Sequence, residues 1–217
     1  GVKYQVRFSI FKDEAAICLD TSGEGLYKRG YRAVGVEAPL RETLAAALVT
    51  LSRYRGRDPF CDPFCGSGTL LIEAALKATN TAPGLRRFFS AERFGFIPDN
   101  IWREERMRAQ DLIVHNIEFR AQGFDTDPNA VALTNENAEK AGMKKYVKAS
   151  VGDVRDFTVP DERCLVITNP PYGERLLDVK AAEELYAVMG QRFKEGCGRK
   201  YYIISPHDEF ERFFGRE

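Results

Sequence analysis

The alternation of apolar and polar positions divides the chain into two parts. In the first 32 residues, "YQVRFSIF" and "AAICLD" alternate on either side of "KDE", which predicts an antiparallel hairpin. After residue 33, short β-rich runs alternate with helical patterns, which predicts a parallel sheet with helices on both faces. We therefore predict a small β appendage and linker at residues 1–32 and an α/β domain at residues 33–217.

The α/β domain carries five predicted strands. These are "PFCD", "FRAQGFD", "YVKASVGD", "CLVITN" and "KYYIIS". Helical periodicity follows Pro39, resumes at Gly68, and returns from Asp127 to about Gly142 and from Ala181 to Glu195. Residues 81–112 form a connection far longer than usual and are interpreted as an insertion.

Composition narrows the class of protein. The 217 residues are 44% hydrophobic, which suits one soluble domain, and no apolar run reaches the roughly 20 residues of a membrane span. The opening lacks a secretion signal, so we expect a cytoplasmic protein, and the missing initiator Met suggests a piece of a longer chain. Lys plus Arg equal Asp plus Glu at 32 each, so any nucleic-acid patch must be local.

The cysteines and histidines give no sign of a metal centre. The five cysteines and two histidines show no paired ligand spacing. Reduced thiols, no disulfide framework and no metal are therefore expected.

The first candidate site is "DPFCGSGTLLIEAA". Asp62 ends a predicted strand, Gly66 and Gly68 make a tight turn, and a helix begins there with free N–H groups. A nucleotide-like cofactor fits this arrangement, but Leu71 stands where a dinucleotide fingerprint has its third glycine. Because Asp62 would repel a pyrophosphate, the pattern favours a cofactor with a cationic centre, namely S-adenosylmethionine.

Two further strands end in acidic residues. Asp125 follows the next strand, where a carboxylate can accept hydrogen bonds from both ribose hydroxyls, and Asp153 is placed to accept from an adenine amino group. The alternative for each is a helix cap or turn residue. Three acidic strand ends in succession favour the cofactor interpretation.

The fourth strand ends in Asn169-Pro170-Pro171-Tyr172. The prolines keep this loop extended and stiff. The Asn169 side-chain oxygen and the Pro170 carbonyl can accept the two N–H protons of an exocyclic amino group, which favours a tetrahedral nitrogen. Tyr172 offers a ring for stacking an unpaired or flipped base. The alternative is a proline-terminated strand with an incidental tyrosine.

These motifs together resemble a known family. "LYKRGYR", "APLRETLAAAL", "DPFCGSGTLLIEAA" and "TNPPYGERL" occur in the order found in Rossmann-like, S-adenosylmethionine-dependent large-subunit ribosomal RNA guanine-N2 methyltransferases. The resemblance covers about residues 26–207. Such proteins usually carry an RNA-binding THUMP domain before the catalytic domain, and related genes are often labelled adenine-specific DNA methylases.

The resemblance implies a set of site residues. The catalytic set comprises Asn169, Pro170, Pro171 and Tyr172, and the cofactor set comprises Asp62, Cys65, Gly66, Gly68, Thr43, Asp125, Asp153 and Val154. It also implies a final antiparallel hairpin after "SPHDEFERFFG", whose two strands are absent from this sequence. The expected reaction is methyl transfer to guanine N2 of ribosomal RNA. The alternatives are adenine N6 in DNA or RNA, and a noncatalytic RNA-binding or assembly module.

Basic residues outside these motifs are candidates for RNA contact. Cations and aromatic rings interleave in the insertion, as in surfaces that bind unpaired bases, and "YKRGYR" is also basic. The candidates are Lys28, Arg29, Arg32, Arg86 and Arg87. The alternatives are a capping subdomain with buried aromatics and paired arginines, and a braced linker. The oligomeric state is not predicted.

Overall fold

The computed structural model describes residues 1–32, 40–159, 163–172 and 179–216. Two sequence-based expectations fall outside these residues. They are the domain boundary at residue 33 and residues 173–176 of the motif that follows Tyr172.

The N-terminal segment is a two-stranded antiparallel hairpin, as the alternation predicts. Strands β1 (Gln5–Phe11) and β2 (Glu14–Asp20) pair with Phe8 opposite Ile17. Lys12 and Asp13 form the turn with φ angles of 49° and 61°. Positive φ at both central residues matches the twist of the flanking strands. The hairpin forms a sheet of its own.

The second sheet is parallel and confirms the predicted α/β, Rossmann-like class. Its strands are β3 (Phe60–Asp62), β4 (Ala121–Asp125), β5 (Val147–Val151), β6 (Cys164–Thr168) and β7 (Arg199–Ile203). Their order is β5-β4-β3-β6-β7, and every described neighbouring pair is parallel. The chain leaves β3 toward β4 on one side and later returns to β6 on the other. A crevice at such a switch point, outside the carboxyl ends of the strands, is where open α/β sheets bind ligands.

Six helices accompany the sheets in the described part of the chain. They are α1 (Glu42–Leu51), α2 (Thr69–Ala78), α3 (Asp99–Asp111), α4 (Pro128–Lys140), α5 (Val179–Arg192) and α6 (Phe210–Phe214). Sequence reasoning did not predict α3, which lies inside the insertion and has no buried residue, so it lacks the apolar stripe that periodicity detects. It also did not predict the short α6. No helix of the described residues has both the length and the apolar character for a bilayer span.

The core lies on both faces of the parallel sheet because side chains alternate along each strand. Phe60 and Ile167 join one cluster with residues of α1, α2 and α4. Cys61 and Val166 join the other, which contains the fully buried Tyr186 and Phe193. Helices therefore pack on both faces of the parallel sheet.

Candidate active site

The carboxyl ends of β3 and β6 are tied together by one hydrogen bond. Thr168 Oγ1 donates to Asp62 Oδ1 at 2.6 Å, and the two residues are 0% and 2% exposed. Since Asn169 directly follows Thr168, this bond sets the first residue of the Asn-Pro-Pro-Tyr loop beside the strand that ends in Asp62. Sequence reasoning missed Thr168, although a polar residue closing the apolar run "CLVI" was a signal.

Burial determines the acid–base behaviour of Asp62. It raises the pKa of the carboxyl to about 7, and the charge of Asp125 also raises this pKa. Hydrogen bonds from Thr168 and from the Phe64 backbone amide, at 3.1 Å, lower the pKa but offset the desolvation only in part. A nearby cationic group would favour the ionised form.

The glycine turn follows Asp62 and precedes α2. Gly66 and Gly68 have φ angles of 51° and 79°, in the left-handed region that favours glycine. A Cβ at Gly68 would lie 2.7 Å from Thr134 Cγ2, whereas a Cβ at Gly66 would meet nothing within 4 Å. The turn is therefore packed against α4 at Gly68 and open at Gly66, where a ligand can approach the backbone. The first amides of α2 lie next to this opening.

Two buried polar residues of α4 hold the turn. Thr134 Oγ1 donates to the Gly66 carbonyl at 2.7 Å, and Asn137 Nδ2 donates to the Ser67 carbonyl at 3.0 Å. Both residues are 0% exposed. Sequence reasoning missed them, although two polar residues three positions apart on the buried stripe of a helix were a signal.

Asp125 closes the other side of the turn. Its Oδ2 accepts from the Gly66 amide at 3.0 Å, and its Oδ1 accepts from the Asp127 amide at 3.0 Å. The Cys65 amide donates to the Phe124 carbonyl, which also links the turn to β4. An ionised carboxylate has about four lone-pair sites, so Asp125 keeps capacity for further donors such as ribose hydroxyls.

The remaining cofactor candidates lie around this edge in different settings. Asp153 accepts from the Arg155 amide at 2.8 Å and pairs with the Arg155 guanidinium at 3.2 Å, which is the capping role of the alternative interpretation. Val154 is buried in the core. Burial raises the pKa of the Cys65 thiol, so it is neutral, and Thr43 is exposed in the first turn of α1. Their contact with a cofactor stays a prediction.

The Asn-Pro-Pro-Tyr loop follows β6 and contains both buried and partly exposed residues. Asn169, Pro171 and Tyr172 are partly exposed, and Pro170 is buried. The loop therefore has an anchored proline and an accessible amide and ring. The described residues contain no group of three or more His, Cys, Asp or Glu side chains arranged to hold a metal.

Two of the RNA candidates in the linker, Arg29 and Arg32, are engaged inside the protein. Arg29 pairs with buried Glu73 at 3.4 Å. Arg32 pairs with buried Glu42 at 3.4 Å and donates to Thr69 at 2.7 Å. These contacts are those of a braced linker. Lys28 is exposed and pairs with Glu24 at 3.1 Å.

Neighbouring Arg86 and Arg87 occupy contrasting environments. Arg87 is 8% exposed, and its guanidinium donates to the carbonyls of Ser22, Glu24, Gly25 and Lys28. Arg86 is exposed and donates to the Lys140 carbonyl at 2.6 Å. RNA contact by all five candidates stays a prediction. For Arg87 the internal contacts already occupy both terminal nitrogens of the guanidinium.

A parallel sheet of this order, with a glycine turn and an Asn-Pro-Pro-Tyr loop at one edge, defines a Rossmann-like domain of the methyltransferase type. The chain belongs to the UPF0020 family, the RMKL-like methyltransferase domain, whose model matches residues 29–217. This confirms the family resemblance of the sequence motifs.

Curated relatives and solved structures agree with this family. The chain is 42% identical to "Putative RNA methyltransferase YpsC" of Bacillus subtilis over all its 217 residues, which span 56% of that protein. It is 39% identical to "Ribosomal RNA large subunit methyltransferase K/L" of Vibrio campbellii, with 94% of this chain matching 30% of that protein. The chain thus spans about half or less of the length of these relatives.

Two crystal structures share the fold over nearly the whole chain. One is described as a "predicted N6-adenine-specific DNA methylase" from Listeria monocytogenes, with a TM-score of 0.93, 40% identity, and coverage of 99% of this chain and 56% of that chain. The other is "SMU.472, a putative methyltransferase complexed with SAH", with a TM-score of 0.92, 38% identity, and coverage of 100% and 57%.

The Asp62→Asn variant should remove a pH dependence of stability. The folded pKa of about 7 lies above the ordinary value of 3.8, so the folded state holds its proton more tightly. The unfolding free energy of the unmodified protein therefore contains a contribution that falls as pH rises from about 4 to 7 and is constant above that. The Asp62→Asn variant has no titrating group at this position. Its unfolding free energy, relative to that of the unmodified protein, should therefore rise by up to about 4 kcal/mol across this pH range.

Urea unfolding at pH 5 and pH 8 measures this difference. Asp13→Asn, which changes an exposed aspartate in the hairpin turn, controls for the loss of one charge. A stability difference for Asp62→Asn that is the same at both pH values would contradict the raised pKa.

The Arg87→Lys variant should loosen the linker. A lysine cannot reproduce the fork of donors that reaches four carbonyls, so hydrogen exchange of residues 22–28 should speed up and stability should fall by about 1–3 kcal/mol. The matched control is Arg86→Lys, which changes the exposed neighbour. Equal exchange in the two variants would show that Arg87 does not brace the linker.

Proposed function

We propose that this chain binds S-adenosylmethionine at the carboxyl edge of its parallel sheet and transfers the methyl group to an exocyclic amino nitrogen of RNA. Guanine N2 of large-subunit ribosomal RNA is the proposed acceptor. The observation that carries the proposal is the 2.6 Å hydrogen bond from Thr168 to Asp62, because it joins the Asn169 loop to the glycine turn.

The donor set at this edge fits S-adenosylmethionine. The cofactor carries an amino group and a sulfonium but no phosphate, and the edge presents the buried carboxyl of Asp62 beside an open turn at Gly66. Asp125 keeps acceptor capacity one strand away, at the place suited to ribose hydroxyls. The SAH bound in the SMU.472 structure, which is the cofactor without its methyl group, supports this choice, since that protein is 38% identical to the chain.

The loop can activate an amino group by hydrogen bonding alone. When bound, the cofactor supplies an electrophilic methyl on its sulfonium. Asn169 Oδ1 and the Pro170 carbonyl accept the two N–H groups of the base, which directs the nitrogen lone pair toward that methyl. The methyl would come from the cofactor sulfonium, whose C–S bonding pair would stay on sulfur, and the extra proton of the amino nitrogen would pass to water. Positioning of this kind supplies much of the acceleration in such displacements.

The choice of RNA rests on the relatives. The Bacillus subtilis and Vibrio campbellii proteins are named for RNA and for large-subunit ribosomal RNA, respectively. Tyr172 is partly exposed at the end of the loop, where its ring can stack on an unpaired base. The Listeria monocytogenes structure is described as a DNA methylase acting on adenine N6, so the test must distinguish the two acceptors.

The first experiment identifies the modified nucleoside. The protein is incubated with isotopically labelled S-adenosylmethionine and, separately, ribosomal RNA, transfer RNA or DNA, and the digested nucleosides are analysed by mass spectrometry. Labelled N2-methylguanosine in ribosomal RNA is expected. Labelled N6-methyladenine would retain the transfer chemistry and contradict the acceptor. No label in any pool, with cofactor binding intact, would contradict the enzymatic proposal and favour a binding module.

The Asn169→Ala variant tests the role of the loop. Removing one positioned acceptor should lower the transfer rate by about 100-fold or more while leaving cofactor affinity unchanged. Single-turnover rates and calorimetric cofactor binding measure the two quantities. Asn100→Ala, at an exposed asparagine of α3, is the matched control. An undiminished rate in Asn169→Ala would remove Asn169 from the catalytic set.

A further inference from the structure

A basic groove lies at the opposite edge of the parallel sheet, where strands β3, β6 and β7 begin. Its volume is about 560 Å³, and residues that precede or open these strands line it. We name it the amino-edge groove. Its charged lining residues are Arg53, Arg55, Arg57, Asp58, Arg163 and Lys200.

The groove concentrates positive charge in a chain that is neutral overall. Five cations face one carboxylate, whereas the whole sequence has 32 basic and 32 acidic residues. Among the five cations of the groove, only Arg163 has a carboxylate partner in the described ranges. It pairs with Asp58 at 3.1 Å, and its side chain is still 74% exposed. The acidic residues 161 and 162 precede Arg163 in sequence and lie outside those ranges. Like charges that lie within a Debye length of one another, about 8–10 Å at physiological ionic strength, reinforce one another's field.

The loop that carries three of the arginines is held in place by the residues between them. Tyr54 is buried against Phe60, and its hydroxyl donates to the Asp58 carbonyl at 2.6 Å. Gly56 has a φ of 73° and packs so closely that a Cβ would lie 2.7 Å from Ala78 Cα. Arg53, Arg55 and Arg57 are exposed at the alternate positions. The arginines are therefore presented from a fixed backbone, which reduces the entropy lost on binding.

We propose that the amino-edge groove binds phosphates of the RNA backbone, in a segment other than the one that presents its base to Asn169. Arginine forks match phosphate oxygens, and an exposed row of unpaired cations is the electrostatic footprint of nucleic-acid binding. The choice of RNA rests on the proposed function.

The position of the groove sets the size of the RNA. Arg163 precedes β6 and Asn169 follows it, so the two ends of the strand are about 20 Å apart at roughly 3.3 Å per residue. An RNA that occupies both sites must pass around the sheet. The inference therefore specifies a folded substrate with two contact segments, rather than a short strand held at the active site.

The test compares two triple variants of the chain. Arg53→Gln, Arg55→Gln and Arg57→Gln together remove three charges from the groove. Lys144→Gln, Lys145→Gln and Lys148→Gln remove the same number beside and within β5 and serve as the control. Affinity for large-subunit ribosomal RNA is measured across salt concentrations, with circular dichroism melts to verify folding.

The groove variant should bind ribosomal RNA about 10-fold more weakly at ~0.1 M salt. The slope of log affinity against log salt should also flatten by about 2, since each phosphate contact contributes roughly 0.7–0.9. Equal effects in the two triple variants, or no detectable RNA binding by the unmodified chain at low salt, would overturn the inference. Binding of inorganic tripolyphosphate that the groove variant loses while RNA affinity is kept would instead assign the groove to a free oligophosphate.

This readout is independent of methyl transfer. An unmodified protein that binds RNA through the groove but labels no nucleoside would contradict the proposed function alone. Intact transfer with RNA affinity insensitive to the groove variant would contradict the groove alone.

Discussion

The hydrogen bond between Thr168 and Asp62 is the contact on which the candidate site depends. It joins neighbouring parallel strands at the point where the chain order of the sheet switches, and both partners are buried. Loss of the Thr168 donor would leave a buried carboxyl short of a partner, at a cost of about 1–3 kcal/mol. Because Pro170 restricts the backbone conformation of the residue before it, Asn169 has little conformational freedom relative to Thr168. A structural bond of the sheet thus determines where the loop amide lies.

The same burial makes Asp62 responsive to charge. With a pKa of about 7, its carboxyl is divided between neutral and ionised forms near physiological pH. A cationic ligand at the open turn beside Gly66 would favour the ionised form, and ionisation would in turn strengthen ligand binding. On the proposed function, ionisation of Asp62 and binding of the cofactor would therefore be coupled. The neutral thiol of Cys65 contributes packing rather than charge.

Sequence reasoning recovered the features that local patterns encode. The strand ends at Asp62 and Asp125 follow from the predicted strands, and strands in β–helix order predict one sheet edge for both of them. Contacts between distant elements were out of reach, because no pattern within α4 says that Thr134 and Asn137 hold the turn at residues 66–67. For the same reason, the sequence could not distinguish the buried basic candidates from the exposed ones. Arg86 and Arg87 are identical in type and adjacent, and only tertiary packing buries one and exposes the other.

The two edges of the parallel sheet differ in charge because different residues stand at the starts and at the ends of its strands. At the carboxyl edge, acidic side chains end β3 and β4, and Asp153 follows β5, which suits a cation and disfavours the phosphates of a polyanion. At the amino edge, arginines precede β3 and β6. On the proposed function, an RNA drawn directly onto the acidic edge would meet repulsion, so its backbone would need a basic surface elsewhere while a single base enters the site. On that proposal, the separation of backbone binding from base presentation would be an electrostatic consequence of binding a cationic cofactor at this sheet edge.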